Sequence, residues 1–468
     1  MNSLYNKLAV AILAPALLLS SCSLVTNEAV PVGVTPTSDR KIVTYYPSYV
    51  KYDSANGLTA SDFLAKSDAK SDYATDEFVP SFIIIGDGQT VIGNEKLAWK
   101  LNQFAFDDMY AWAGLEWSQD PVTAQYDGTV KYSNGVDAGT TSIAAALKQY
   151  PTRPFGLAIG GWPKDSDPAD PQRTGAFNRL GASPTDMDAA MATIDNSLYA
   201  IGKLSRVPSG YHVDFEFPLT ATQGQNLLKF CQALKAKDAT KKISIAVGPN
   251  VTTHLSVLPW AQLNTVVDNF EIMTYDFTGA FSGQTTAHHT AVQNSIPASL
   301  QNSTTYSPDF NINSCVTYVL GQGIPAKKIL IGVALYGRFW TGVNFPASLT
   351  ENSPYYSTAV QATGDVTATM IAAGFDAGSH TIKYNRLNAL IAAAPSEWVK
   401  HYDATAKAAY IVNTAKKIFI SYDNESSVAD KAAYVKTKGL GGVIIWDASG
   451  AKGTTILKYL RTQLDNPM

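Results

Sequence analysis

The stretch Ser209-Gly210-Tyr211-His212-Val213-Asp214-Phe215-Glu216-Phe217-Pro218 decides how the chain is read. On a strand, successive side chains point to opposite faces. Tyr211, Val213, Phe215 and Phe217 then share one face, and His212, Asp214 and Glu216 share the other. Parallel α/β sheets are covered on both faces and rarely carry such a row. Each uncompensated buried charge costs several kcal/mol. The row therefore reads either as a structural ion-pair network or as a site with perturbed ionisations, and the flanking sequence decides between them.

Outward from this strand, short β-rich runs alternate with helical stretches. Upstream lie Lys41–Tyr46, Phe82–Gly86 and Phe155–Trp162; downstream lie Lys242–Val247, Asn269–Tyr275, Lys328–Leu335 and Gly441–Trp446. Helical patterns near 141–149, 184–203, 223–237 and 426–438 separate them. This alternation predicts an α/β fold, a (β/α)8 TIM barrel. No Gly-x-Gly-x-x-Gly follows any strand, so a dinucleotide fold has no support. Between Leu335 and Gly441 the interval far exceeds one helix. The stretch 341–413 is expected to form a small α+β insertion domain, leaving 40–340 and 414–465 as the barrel.

Barrels of this kind carry their active sites at the C-terminal ends of the strands. The polar and aromatic residues there are Tyr46, Trp162, Asp214, Glu216, Met273, Tyr275, Asp276, Tyr336, Arg338 and Trp446. A carboxylate pair, tyrosines, an arginine and tryptophans at successive strand ends describe a sugar cleft with an acid at its floor. The composition is compatible: 46% hydrophobic, 16% charged and a net charge of −3 give no lean toward nucleic acid or acidic lipid. The 24 Tyr, 18 Phe and 8 Trp suit the C–H faces of sugars, as they also suit a core.

At the N-terminus, Lys7 precedes the apolar run Leu8–Leu19, followed by Ser20-Ser21-Cys22. The run is short for a permanent span and has the layout of a removable signal. Residues 1–21 are expected to be a lipoprotein signal peptide, Cys22 the lipidated residue and 22–39 a tether. A plain secretory signal is the other reading; both export the protein, to the cell envelope or beyond. The only membrane attachment expected is the lipid at Cys22. Cys231 and Cys315 are expected to be free buried thiols. The adjacent His288 and His289 read as a polar loop rather than a metal site.

These motifs resemble glycoside hydrolase family 18, the chitinase family, over about residues 40–462. The family signature Asp-Gly-x-Asp-x-Asp-x-Glu aligns with Ser209 to Glu216, and its Ser-x-Gly-Gly with Ala158-Ile159-Gly160-Gly161. Its Met-x-Tyr-Asp is Met273-Thr274-Tyr275-Asp276, its Tyr-Gly-Arg is Tyr336-Gly337-Arg338, and its Gly-Gly-x-x-x-Trp is Gly441 to Trp446. The resemblance implies cleavage of β-1,4 bonds between N-acetylglucosamine units by a retaining, substrate-assisted route. Glu216 would be the general acid and base, Asp214 would orient the acetamido group, and Tyr275 would hold its oxygen. Asp276, Met273, Trp446, Trp162, Tyr46, Tyr336 and Arg338 would bind the sugar. Chitin or another N-acetylglucosamine glycan is the implied partner, with a monomeric enzyme and no metal or organic cofactor.

Three signature positions depart from the family: Ser209 and His212 replace aspartates, and Ala158 replaces a serine. These three are expected to tune the site. His212 would donate to Asp214 and, if protonated, lower its pKa. Reduced activity or a shifted pH profile is the expected result. A silent chitin-binding lectin and an endo-β-N-acetylglucosaminidase acting on glycoprotein glycans are the alternatives.

Overall fold

The computed structural model describes residues 39–52, 58–88, 101–107, 115–117, 130–132, 142–163, 170–195, 206–281, 285–302, 305–346 and 366–467. The leader, Cys22 and the tether up to residue 38 lie outside these, as do residues 196–203 of one expected helix and 347–365 of the expected insertion.

Parallel strands form the centre of the molecule: β1 (Lys41–Pro47), β2 (Glu77–Ser81, continued by Ile83–Ile85), β3 (Leu157–Gly160), β4 (Gly210–Asp214), β5 (Lys242–Val247), β6 (Asn269–Ile272) and β7 (Ile329–Ala334). After the excursion described below, the chain returns to this sheet in the strand Gly442–Trp446. That strand pairs with both β1 and β7. The sheet closes where β2 meets β3, through Phe78 with Phe155 and Ile83 with Ile159. The expected (β/α)8 barrel is therefore the observed one. The second strand starts earlier than expected, at Glu77, which puts an acidic residue on the barrel wall.

Strand alternation sorts the side chains into two layers. Ile42, Tyr46, Tyr211, Val213, Phe215, Ile243 and Ile245 point outward into the core shared with the helices. Val43, Tyr45, Val79, Ala158, Ala246, Met273, Leu330 and Ile444 fill the barrel interior. The helix Ala221–Lys237 shows how the outer layer is built. Thr220 caps it by accepting from the Gln223 N–H. Leu227, Leu228, Phe230, Cys231 and Leu234 bury one face, each large apolar chain contributing about 2 kcal/mol. Lys235 and Lys237 sit in its last turn, where cations suit the helix dipole. Cys231 and Cys315 are free and buried, as expected.

From β7 the chain leaves the barrel directly into a second, antiparallel sheet. Its strands are β8 (Tyr336–Trp340), β9 (Phe375–Asp376), β10 (Thr381–Lys383), β11 (Val399–Asp403), β12 (Ala408–Asn413) and β13 (Ile418–Tyr422), in the order β9-β10-β8-β13-β12-β11. The last barrel strand, Gly442–Trp446, is therefore β14. With the helix Tyr384–Ala393, this sheet makes the insertion α+β. The sheet takes in β8 and β13, which flank the expected 341–413 stretch on either side. Arg338 thus belongs to the insertion sheet rather than to a barrel strand. A fully buried ion pair, Lys431 to Asp423 at 2.5 Å, sits behind the barrel, where Lys431 also donates to the Gly332 carbonyl.

Candidate active site

A cleft of about 1090 Å³ opens over the C-terminal ends of the strands, larger than most single-ligand pockets. It is lined by Asp214, Glu216, Tyr275, Asp276, Met273, Trp162, Arg338 and Trp446, all anticipated from the sequence. Asp214 closes β4 and is almost fully buried; Glu216 follows just beyond the strand rather than on it. The strand's alternation ends with it, so Phe217 turns into the cleft instead of joining Tyr211, Val213 and Phe215 outside.

The glycine pair after β3 lets this floor close. Gly160 and Gly161 have φ of +109° and +91°, a region that disfavours side chains. A Cβ on Gly160 would lie 2.2 Å from the Asp214 carbonyl oxygen. The Gly161 N–H donates to that carbonyl at 2.8 Å. Arg173 donates to the Gly160 carbonyl at 2.5 Å and favours the ionised forms of both Asp214 and Glu216.

Asp214 and Glu216 differ from ordinary carboxyls. Burial, and then the charge of Glu271, raises Asp214 to about 7 against the pull of Arg173 and His212. Burial, then the neighbouring Asp214, pushes Glu216 well above the usual range. The Oδ1 of Asp214 is buried with no hydrogen-bond partner among the described residues. Asp276 is the opposite case. Burial alone would raise it, but Arg338 outweighs burial and holds it well below the carboxylate range. That guanidinium is bidentate, donating to both Asp276 oxygens at 2.7 and 2.6 Å.

His212 does not meet Asp214. Its Nδ1 lies 3.0 and 3.2 Å from the two oxygens of Glu271, and its Nε2 lies 3.7 Å from Glu77. Burial disfavours the imidazolium, but Glu271 and Glu77 overcome it and raise the imidazole to about 10. The same imidazolium, ahead of Ser209, overcomes burial at Glu77 and brings that carboxyl down to about 2. The expected lowering of Asp214 by His212 is real but loses to burial and Glu271. Ser209 donates to Glu77 at 2.5 Å, away from the cleft. Ala158 pairs with His212 across β3 and β4 and is fully buried. Gly156 leaves room for the ring: a Cβ there would lie 2.4 Å from Nε2. Ala158 and His212 therefore share one interior layer with two acids of other strands, and Ser209, just ahead of β4, bonds to one of those acids.

Two expected sugar contacts lie elsewhere. Tyr46 faces outward, 1% exposed, donating to the Leu58 carbonyl and packing on Phe78. Its neighbour Tyr45 faces the cleft instead, because one residue along a strand changes sides. Tyr336 backs Tyr275, with ring centres 6.3 Å apart, and is not among the cleft-lining residues. His288 and His289 lie in a loop, as expected, but both are buried, against Asp403 at 3.1 Å and Asp276 at 3.5 Å. Among the described residues no cluster of three or more His, Cys, Asp or Glu is placed to hold a metal.

Aromatic rings form the cleft walls. Trp162 is 56% exposed, 6.1 Å from Phe217, which stacks on His254 at 4.3 Å. Phe281, also exposed, lies under the Arg338 guanidinium across the cleft. Trp446 sits against Tyr45 and Phe82 at the base. Sequence reading missed Glu271, Tyr45, Glu77 and Arg173. Glu271 had a signal, a lone charge alternating with Met273 and Tyr275 in an apolar run. Arg173, at the start of the helix Thr174–Ala182, had none.

The family model for glycosyl hydrolases family 18 matches residues 41–451. Chitinase A1 of Niallia circulans is 26% identical over 86% of this chain, which spans 60% of that protein. A probable endochitinase of Orgyia pseudotsugata multicapsid polyhedrosis virus is 31% identical over 42% of the chain, covering 32% of that protein. Among solved structures, chitinase ChiA74 from Bacillus thuringiensis superposes with a TM-score of 0.67 at 20% identity, covering 91% of this chain and 69% of that one. The Group IV chitinase of Ostrinia furnacalis in complex with allosamidin gives 0.63 at 18%, covering 90% and 98%. The fold is shared with all of these, and the family match extends over most of the chain. The chain belongs to family 18 of the glycosyl hydrolases.

Proposed function

We propose that the protein hydrolyses β-1,4 bonds between N-acetylglucosamine units of chitin or chito-oligosaccharides, with the substrate's own acetamido group as nucleophile. The observation that carries this reading is the unpartnered, buried Oδ1 of Asp214 beside Glu216 and Tyr275 in an aromatic-walled cleft. An acetamido N–H supplies the donor that Asp214 lacks. Glu216, whose proton is held by burial and by the neighbouring Asp214, gives that proton to the glycosidic oxygen as the C1–O bond breaks. The acetamido carbonyl oxygen bonds to C1, forming an oxazolinium ion that the Asp214 anion balances. The Tyr275 hydroxyl steadies that oxygen. Water then adds to C1 as the bond between C1 and the acetamido oxygen breaks, and it gives its proton to Glu216, which restores the acid.

The cleft-lining carboxylates among the described residues are Asp214, Glu216 and Asp276. Asp276 is engaged by Arg338 and Asp214 lies next to the acid, which leaves the attack to the substrate. Trp446 would form the floor under the distorted sugar, and Trp162 and Arg338 would line neighbouring subsites. Export and lipid anchoring at Cys22 belong to the same proposal, as a cell-surface enzyme. NMR of freshly cleaved N-acetylglucosamine oligomers tests the route: the β-anomer appears first. Initial α-anomer would overturn substrate assistance with retention.

A further inference from the structure

Glu271 is a fully buried carboxylate that the route above does not use. In the barrel ladder Asp214 pairs with Ala246, and Ala246 pairs with Glu271. In-register partners in a parallel ladder share a face, so the two acids point inward at one level with only a methyl between their strands. Glu271 also accepts from the Tyr45 hydroxyl at 2.5 Å, and Tyr45 reaches the cleft. The result is one continuous chain: Glu77, His212, Glu271, Tyr45. Signature position 212 carries an imidazole here, and carboxylates from β2 and β6 lie against it in the same interior layer.

Resting on the reaction proposed above, we infer that Glu271 is a positioning residue: it fixes His212 and Tyr45 in one buried chain and sets the charge state in which Asp214 meets the substrate. The groups facing Asp214 are His212 on its own strand, Glu271 from β6, Arg173 from the neighbouring helix, Glu216 beyond the strand, and the Tyr45 and Tyr275 hydroxyls. Those facing Glu271 are His212, Tyr45, Tyr275 and Asp214. Two acids and one imidazolium beneath the site leave a net negative charge, which opposes ionisation of Asp214. Arg173 and His212 work in the other direction. Without the Glu271 charge, Asp214 ionises at lower pH. A residue that only filled space would leave that ionisation in place.

The test is the pH profile of kcat/KM on N-acetylglucosamine oligomers for wild type and Glu271→Gln. The acid limb is expected to move down by roughly one pH unit. Histidine-selective NMR gives a second readout that needs no activity. The His212 imidazole stays protonated in wild type to about pH 10 and titrates lower in the variant. If Glu271→Gln does not fold, the paired variant Glu271→Gln/His212→Asn removes both charges together, which buried pairs tolerate better. It must shift the limb in the same direction, by less. An unmoved acid limb in a folded, active variant overturns the role of Glu271 and leaves the hydrolase reading standing. A wild type that cleaves no oligomer at any pH overturns the hydrolase reading and this role with it.

Discussion

The Nδ1 of His212 lies 3.0 Å from Oε1 of Glu271, in an interior layer where neither group reaches water. An imidazolium bound to a carboxylate thus stands where the family signature has an aspartate. The charge balance under the reactive pair is set by residues on three strands rather than by the signature alone.

The activity profile should reflect that balance. Asp214 is raised to about 7 and works as an anion, so its working form grows in as pH rises through neutrality. Glu216 is raised well above the usual carboxylate range by burial and by Asp214 and works as an acid, so its working form is lost as pH rises through that raised ionisation. A bell whose acid limb lies near neutrality is the expectation, read from kcat/KM against pH. An acid limb in the usual carboxylate range, near pH 4, would contradict the raised ionisation of Asp214.

Restoring the family residue should harm this protein. His212→Asp removes the imidazolium and places a third carboxylate against Glu271 and Glu77. Breaking a buried pair in this way costs roughly 3 kcal/mol or more, visible as a large fall in Tm. Adding Glu271→Gln should recover part of that loss. A His212→Asp variant as stable as wild type would show that the ion chain is not what holds the layer together.

Trp162 separates recognition from folding. Its ring is more than half exposed on the cleft wall, so Trp162→Ala should leave Tm nearly unchanged. Loss of its stacking surface should raise KM on long oligomers up to about tenfold, which is about 1.4 kcal/mol and the upper end for an aromatic contact, while dimer-sized substrates are less affected. Equal losses on short and long substrates would place Trp162 outside the binding path.

The barrel was legible because several of its strands are continuous apolar runs, such as Ile329–Ala334, whose length and spacing admit few other folds. The reactive pair was legible because ionisable groups break one such run. Tyr46 was misplaced by a single register step, which the sequence Tyr45-Tyr46 does not resolve: either ring could face inward. His212 was assigned the wrong partner for a different reason. Its partners come from β2 and β6, and only the closed barrel brings them together. Arg173 reaches Gly160 from a helix start that no local pattern links to the site.

The most direct measurement is product analysis of the mature domain on N-acetylglucosamine oligomers, comparing wild type with Glu216→Gln across pH. The account predicts cleavage by wild type and a loss of at least a thousandfold in the variant, with oligomer binding retained. Cleavage that survives Glu216→Gln would contradict the assignment of the acid. Binding without cleavage by wild type at every pH would make the protein a lectin on a hydrolase scaffold.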